Sequence, residues 1–122
     1  MKKTLIVGTV AFDEIETPKE SSGKILGGAA TYIGLSTAIF ESKASIISVV
    51  GGDFDQKYLD LLNSKGLDTS SIEIITKGKT FYWKGKYHKD WNKRDTLSTQ
   101  LNVLADFNPI LNKHNSSAEI IV

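Results

Sequence analysis

Asp13 is the residue whose type and place most suggest chemistry. It follows the short apolar run Thr4-Leu5-Ile6-Val7-Gly8, which predicts the buried first strand of an α/β protein. A carboxylate just beyond the carboxyl end of such a strand stands where open α/β sheets bind ligands, and it can accept hydrogen bonds from sugar hydroxyls. On an edge strand the same carboxylate would be only a solvated side chain. Gly27-Gly28 is the second feature. Two glycines before a helix let the backbone approach a ligand and leave amide N–H groups free at the helix's positive end, although a tight strand-to-helix turn asks for the same residues.

Other groupings fall short of a site. Gly78-Lys79-Thr80 imitates the end of a phosphate-binding loop, but Glu73 stands where that loop needs its first glycine, and a hairpin pattern follows instead of a helix. Gly8 is alone after the first strand, so the dinucleotide fingerprint is missing. His88 and His114 are far apart and lack zinc-ligand spacing. The 122 residues include no cysteine, which excludes disulfides, thiolate metal sites and a Cys nucleophile. No nucleophile-elbow pattern accompanies the serines. Asp53 and Asp55 flank Phe54 just after a strand, where capping a turn is the expected role.

The elements that must position these residues follow from periodicity. Residues 12–17 alternate as a strand with one wet face, limited by Pro18, and 19–24 read as a polar turn. A helix is predicted over 29–40, with Ala30, Gly34 and Ala38 as a small-residue packing stripe broadened by Ile33, Leu35 and Ile39. A buried strand over 44–50 closes at Gly51-Gly52-Asp53. A short amphipathic helix over 58–65 places Tyr58, Leu61 and Leu62 on one side, with Gly66 as its left-handed cap. Residues 72–75 predict a strand, 80–84 and 86 onward a hairpin broken at Gly85, and 96–103 an extended segment. Asn108-Pro109 marks a turn, and 118–122 begin a further buried strand. Alternating strands and helices imply a parallel sheet, which two helices cannot cover on both faces. The order reads as the front half of a larger α/β domain.

Composition agrees with a globular chain. There are 15 Lys+Arg against 14 Asp+Glu, a net charge of +1, and 40% hydrophobic residues. That excludes disorder, and no apolar stretch approaches the ~20 residues of a bilayer helix. Nor is there a signal-peptide core, so a soluble cytoplasmic protein is expected. The charge is uneven. Between Lys77 and Arg94 lie seven basic residues and one acid, together with Phe81, Tyr82, Trp83, Tyr87 and Trp91. This segment predicts an antiparallel ribbon with one aromatic and one basic face. The same residues over 77–94 could instead serve single-stranded nucleic acid, or grip a small anionic or hydroxylated ligand.

Four ordered blocks then stand out: Val7-Gly8-Thr9-Val10-Ala11-Phe12-Asp13, Leu26-Gly27-Gly28-Ala29-Ala30-Thr31-Tyr32, Ser48-Val49-Val50-Gly51-Gly52-Asp53-Phe54 and Lys65-Gly66-Leu67-Asp68-Thr69-Ser70. Together they resemble the N-terminal part of the ribokinase-like (PfkB) carbohydrate kinase family. The segments Gly78-Lys79-Thr80-Phe81-Tyr82-Trp83-Lys84-Gly85-Lys86-Tyr87-His88, Leu101-Asn102-Val103 and Ala105-Asp106-Phe107-Asn108-Pro109 resemble a sugar-kinase subgroup of it.

The resemblance implies transfer of the ATP γ-phosphoryl group, with Mg²⁺, to a hydroxyl of a sugar or nucleoside. It also implies a large α/β domain with a small β-sheet lid, which often forms a homodimer contact. Asp13 would bind substrate hydroxyls, Gly27 and Gly28 would line the pocket through their backbones, and Tyr32 stands where the family usually has Asn. The lid would come from about 12–26 and 72–103, with Phe81, Trp83 and Asn102 as lid candidates. Gly52 replaces the first acid of the motif usually written G-D-D, at a position that is not the base. The family's catalytic base lies in a D-T-x-G-A-G-D motif; Asp68-Thr69-Ser70-Ser71 imitates its beginning, with no G-A-G-D after it. Catalytic residues and the determinants for ATP and Mg²⁺ are therefore expected outside this chain, which alone should be inactive. No nucleic-acid or membrane partner is expected. The alternatives are a free-standing nucleic-acid module using the ribbon, or an inactive lid-and-dimerisation protein.

Overall fold

An all-apolar strand can be stable only where both its faces are covered. In the computed structural model, which describes residues 3–40, 43–113 and 115–122, β1 (Lys3–Val7) lies inside a parallel sheet with Thr4, Leu5 and Ile6 buried. It pairs with β4 (Lys43–Gly51) on one side and β9 (Ile120–Ile121) on the other. β5 (Leu67–Asp68) and β6 (Ile72–Ile75) pair with successive stretches of β4, also in parallel. Two helices, α1 (Ala29–Ile39) and α2 (Gln56–Ser64), complete this layer. Ile6, Ile46, Val50, Leu62, Leu67 and Ile72 form its buried core.

The small-residue stripe of α1 is a packing device. Ala30 is fully buried, and a Cβ added at Gly34 would stand 3.1 Å from Leu67 and 3.2 Å from Ile46. The expected broadening of the apolar face is realised in part: Ile33 and Leu35 pack against the core, whereas Ile39 is 77% exposed and Phe40 79%. In α2, Asp55 caps the helix by accepting the Lys57 N–H at 3.1 Å. Its inward face carries Leu59 and Leu62, whereas the expected Leu61 is exposed, one position round the helix from the buried pair. Gly66 takes the predicted left-handed conformation at φ 90°.

A second sheet has the order β3-β2-β7-β8 and consists of β2 (Ala11–Glu16), β3 (Ser21–Gly27), β7 (Tyr82–Tyr87) and β8 (Arg94–Gln100). β2 and β7 are parallel neighbours at its centre, and the outer pairings are antiparallel. Several expectations change here. Ser21 to Lys24, expected as a turn, belong to β3. The chain does not turn at Gly85, since β7 runs through it; the reversal lies beyond Tyr87, where the Lys93 N–H donates to the Asp90 carbonyl at 2.9 Å and the Asn92 N–H to the Asp90 side chain at 3.0 Å. The 72–103 segment divides, with β6 in the first sheet and β7 and β8 in the second. Past β8 the chain forms a 3₁₀ turn over Asn102–Asp106 where extension was expected. Ile120, Ile121 and Val122, expected to be buried, are exposed, because β9 is at the sheet edge with β1 as its strand neighbour.

Truncating Leu62 to Ala should lower stability by about 2–4 kcal/mol through a core cavity. Leu61→Ala should stay within about 0.5 kcal/mol. Urea-denaturation midpoints of the two variants check the assigned face of α2.

Candidate functional site

The two sheets meet where β1 passes into β2 and where β3 passes into α1. Gly28, at φ 96°, makes the second connection possible, and a Cβ there would collide with the Thr9 carbonyl. This close approach lets Thr9 cap α1 from another segment. Its hydroxyl accepts the Ala29 N–H at 3.0 Å, and its carbonyl accepts the Ala30 N–H at 2.9 Å. The sequence offered no local signal for this role, since capping residues are sought just before a helix and Thr9 is twenty residues upstream of Ala29.

Asp13, Gly27 and Gly28 come together at this junction. Asp13 lies on β2, an interior strand and not an edge, and its side chain is half-buried. Its carboxylate packs against the bare Cα of Gly27, where a Cβ would collide with it, and accepts the Gly28 backbone N–H. Burial pushes the Asp13 carboxyl above the usual range, and the Gly28 amide partly offsets the rise. A partly desolvated carboxylate between two glycines offers acceptor oxygens to hydroxyl groups, with backbone space left free beside them.

The remaining predicted residues divide. Trp83 is the register partner of Asp13 on β7 and therefore shares its face of the second sheet. Tyr32 does not join the group; it is 54% exposed and lines a shallow hollow on α1 with Ile33, Ser36, Thr37 and Phe40. Asn102, at φ 51°, donates its side-chain amide to the Thr80 carbonyl at 2.9 Å. Phe81 contributes its carbonyl, accepting the Phe12 N–H at 2.9 Å. His114 lies outside the described residues.

Gly78-Lys79-Thr80 has a structural task. Asp53 Oδ1 accepts both the Thr80 N–H at 2.8 Å and the Thr80 hydroxyl at 2.7 Å, and the Gly51 N–H donates to that hydroxyl oxygen at 3.0 Å. β7, not a helix, follows this turn. Thr80 is thus committed to the turn rather than to a nucleotide or a cation. Among the described residues no three His, Asp or Glu side chains converge as a cation site. The residues present do not fit an ATP–Mg²⁺ site, and no phosphoryl-transfer step is assigned to them.

The basic-aromatic ribbon is internally paired, and its faces are mixed. Lys84 bridges Glu14 at 3.2 Å and Glu16 at 2.8 Å, which holds its ammonium pKa well above the ordinary value. Tyr82, on that same face, donates its hydroxyl to Glu14 at 3.2 Å. On the opposite face the Arg94 guanidinium lies 5.4 Å from the Trp83 ring centre. The expected segregation into an aromatic and a basic face fails because β7 alternates Tyr82, Lys84 and Lys86 against Trp83 and Tyr87. No helix among the described residues is long and apolar enough to cross a membrane.

No family model matches the chain. A cytidine kinase from Thermococcus kodakarensis is 31% identical over 90 residues, which are 74% of this chain and 32% of that protein. The Methanocaldococcus jannaschii nucleoside kinase, an archaeal member of the ribokinase family, superposes with a TM-score of 0.80 at 22% identity, over 99% of this chain and 44% of that one. The chain is similar in sequence to these kinases and shares the fold of the ribokinase family. A Burkholderia thailandensis nucleoside kinase in complex with inosine superposes with a TM-score of 0.75 at 21% identity, over 84% of this chain and 37% of that one. These superpositions establish the ribokinase-like fold, parallel sheet and small second sheet alike. The chain spans about a third of the length of the curated relatives it matches.

The raised Asp13 pKa has a consequence for stability. The folded state binds the proton more tightly than the unfolded state, so the contribution of Asp13 is full below its ordinary value of 3.8 and is lost as pH rises through its folded value. Asp13→Asn should therefore be more stable than the wild type at about pH 7 and lose that advantage toward about pH 3, as read from urea midpoints across pH.

Proposed function

We propose that this chain forms the acceptor-binding part of a kinase that transfers the γ-phosphoryl group of ATP to a hydroxyl of a sugar or nucleoside. The observation that carries the reading is the half-buried Asp13 carboxylate, set against Gly27 and Gly28 at the junction of the two sheets. In this role Asp13 accepts hydrogen bonds from acceptor hydroxyls, and the two glycines keep the pocket wall free of side chains. The second sheet, which carries Asp13 on its central strand, acts as a lid that excludes water from the acceptor.

The donor nucleotide and Mg²⁺ are implied by the family, and their ligands belong to polypeptide beyond the part seen here. Two observations support that division. The chain spans 32% of the cytidine kinase, and Ile39, Phe40 and Ile121 leave apolar surface that further polypeptide would cover. The chain alone is inactive on this reading.

ADP release over a panel of nucleosides and sugars tests the proposal. The full-length kinase should turn over, and Asp13→Ala should lower kcat/KM by about a hundredfold, because acceptor hydroxyls lose their partner in a closed site. The 122-residue chain should release no ADP above background. Turnover of Asp13→Ala equal to that of the wild type would refute the role of Asp13.

A further inference from the structure

We propose that Thr9 is a positioning residue for acceptor binding, because it fixes the corner at Gly28 where the backbone amide meets the Asp13 carboxylate. The inference rests on the acceptor role of Asp13 and names the residue through which the fold directs that carboxylate.

Three consecutive amides at the start of α1 are taken up by one short segment. The Gly28 N–H donates to the Asp13 carboxylate, the Ala29 N–H to the Thr9 hydroxyl at 3.0 Å, and the Ala30 N–H to the Thr9 carbonyl at 2.9 Å. Thr9 thus supplies two of the three acceptors that grip this corner. Gly28 stands at the N-cap and has no side chain to cap the helix with. Any Cβ there would collide with the Thr9 carbonyl and the Ala11 nitrogen. Capping has therefore passed to a threonine across the junction, which couples the start of the helix to the site.

Thr9 is itself anchored. The Gly8 N–H donates to the Ile47 carbonyl at 3.2 Å, and the Val10 N–H to the hydroxyl of buried Ser48 at 3.1 Å. Both acceptors lie on β4, so the Thr9 hydroxyl approaches the corner from a backbone tied to an interior strand. Without that hydroxyl the Ala29 N–H loses its partner, and Thr9 holds the corner by its carbonyl alone. The Gly28 amide is then free to drift from Asp13.

The carboxylate depends on that amide. Its register partners are Ile25 on β3 and Trp83 on β7, and the next row pairs Ile15 with Gly85, so these neighbours bring no charge. Arg94, from β8, is engaged by the Trp83 ring, 5.4 Å from its centre. The Gly28 N–H lowers the Asp13 pKa against the rise caused by burial. It also occupies one of about four acceptor positions on the carboxylate, which restrains how the others face a ligand.

The test is acceptor kinetics of the full-length kinase, by ADP release with cytidine, inosine and D-ribose. Thr9→Val keeps the side chain's shape and deletes the hydroxyl. It should raise the acceptor KM about fivefold or more while kcat and the ATP KM change by less than about twofold, and Thr9→Ser should restore the acceptor KM. The acid limb of acceptor kcat/KM should move to higher pH in Thr9→Val, because a weaker Gly28 bond lets burial push the Asp13 carboxyl further up. A cap without a link to the site would lower the urea midpoint and leave that limb in place, which overturns the inference. If Thr9→Val does not fold, Thr9→Ala deletes the same acceptor with no methyl in its place and is read in the same assays. Acceptor KM and acid limb both unchanged, while Asp13→Ala retains its loss, overturn this inference and leave the acceptor role standing. Equal losses for acceptor and ATP that Thr9→Ser does not rescue also overturn it. Wild-type turnover by Asp13→Ala, or no turnover of any of the three acceptors by the wild type, overturns the acceptor role and this inference with it.

Discussion

The close approach of Gly28 to the Thr9 carbonyl governs how the rest of the chain is arranged. Only a residue without a Cβ, and able to hold a positive φ, can occupy that point. Once it does, the first amides of α1 find acceptors on Thr9, and α1 is fixed against the end of β1. The same approach aims the Gly28 N–H at Asp13, so the geometry that starts the helix also orients the carboxylate. The fold and the candidate site share one constraint, which leaves no room for a side chain at Gly27 or Gly28 beside Asp13.

A second junction locks the two sheets from the other side. Asp53 and Gly51 bind Thr80, and a Cβ at Gly51 or Gly52 would collide with the backbone of 76–79. Beside them Phe12, Phe54 and Tyr58 form a three-ring cluster with centroids 5.2 to 5.5 Å apart, joining β2 to the start of α2. Residues that imitate a phosphate-binding loop thus serve to attach β7 to the body. Their glycine, lysine and threonine resemble a catalytic motif in composition, but the chain path and the Asp53 carboxylate give them a different use.

What could be read from sequence follows from how strongly burial patterns it. β1, β4 and α1 were legible because their residues are buried on defined faces. β3 was not, since Ser21, Ser22, Gly23 and Lys24 are all exposed on the outer strand of a thin sheet and show no alternation. Gly85 suggested a turn, yet its lack of a side chain serves the Trp83 indole, a reason visible only when the ring is seen lying on it. Leu61 and Leu59 are equally apolar, and a one-residue difference in the helix frame decided which is buried. For the site, Asp13, Gly27 and Gly28 were legible from type and spacing. Tyr32 and Asn102 were carried over by resemblance, and the structure places one on the outer face of α1 and the other on the Thr80 carbonyl.

Asp13 and Asp53 show how the same side chain can serve different ends. Asp53 accepts two hydrogen bonds from one buried threonine and joins two segments distant in sequence, so its carboxylate is accounted for by the fold. Asp13 accepts the Gly28 amide while burial works against its charge. For stability alone a neutral side chain would serve that position as well or better, because it would escape the desolvation cost. On the function proposed above, the carboxylate is kept there against its own solvation for a ligand whose hydroxyls need acceptors. On that reading the cost to the fold falls on a binding residue, the one that the glycine-built junction holds in place.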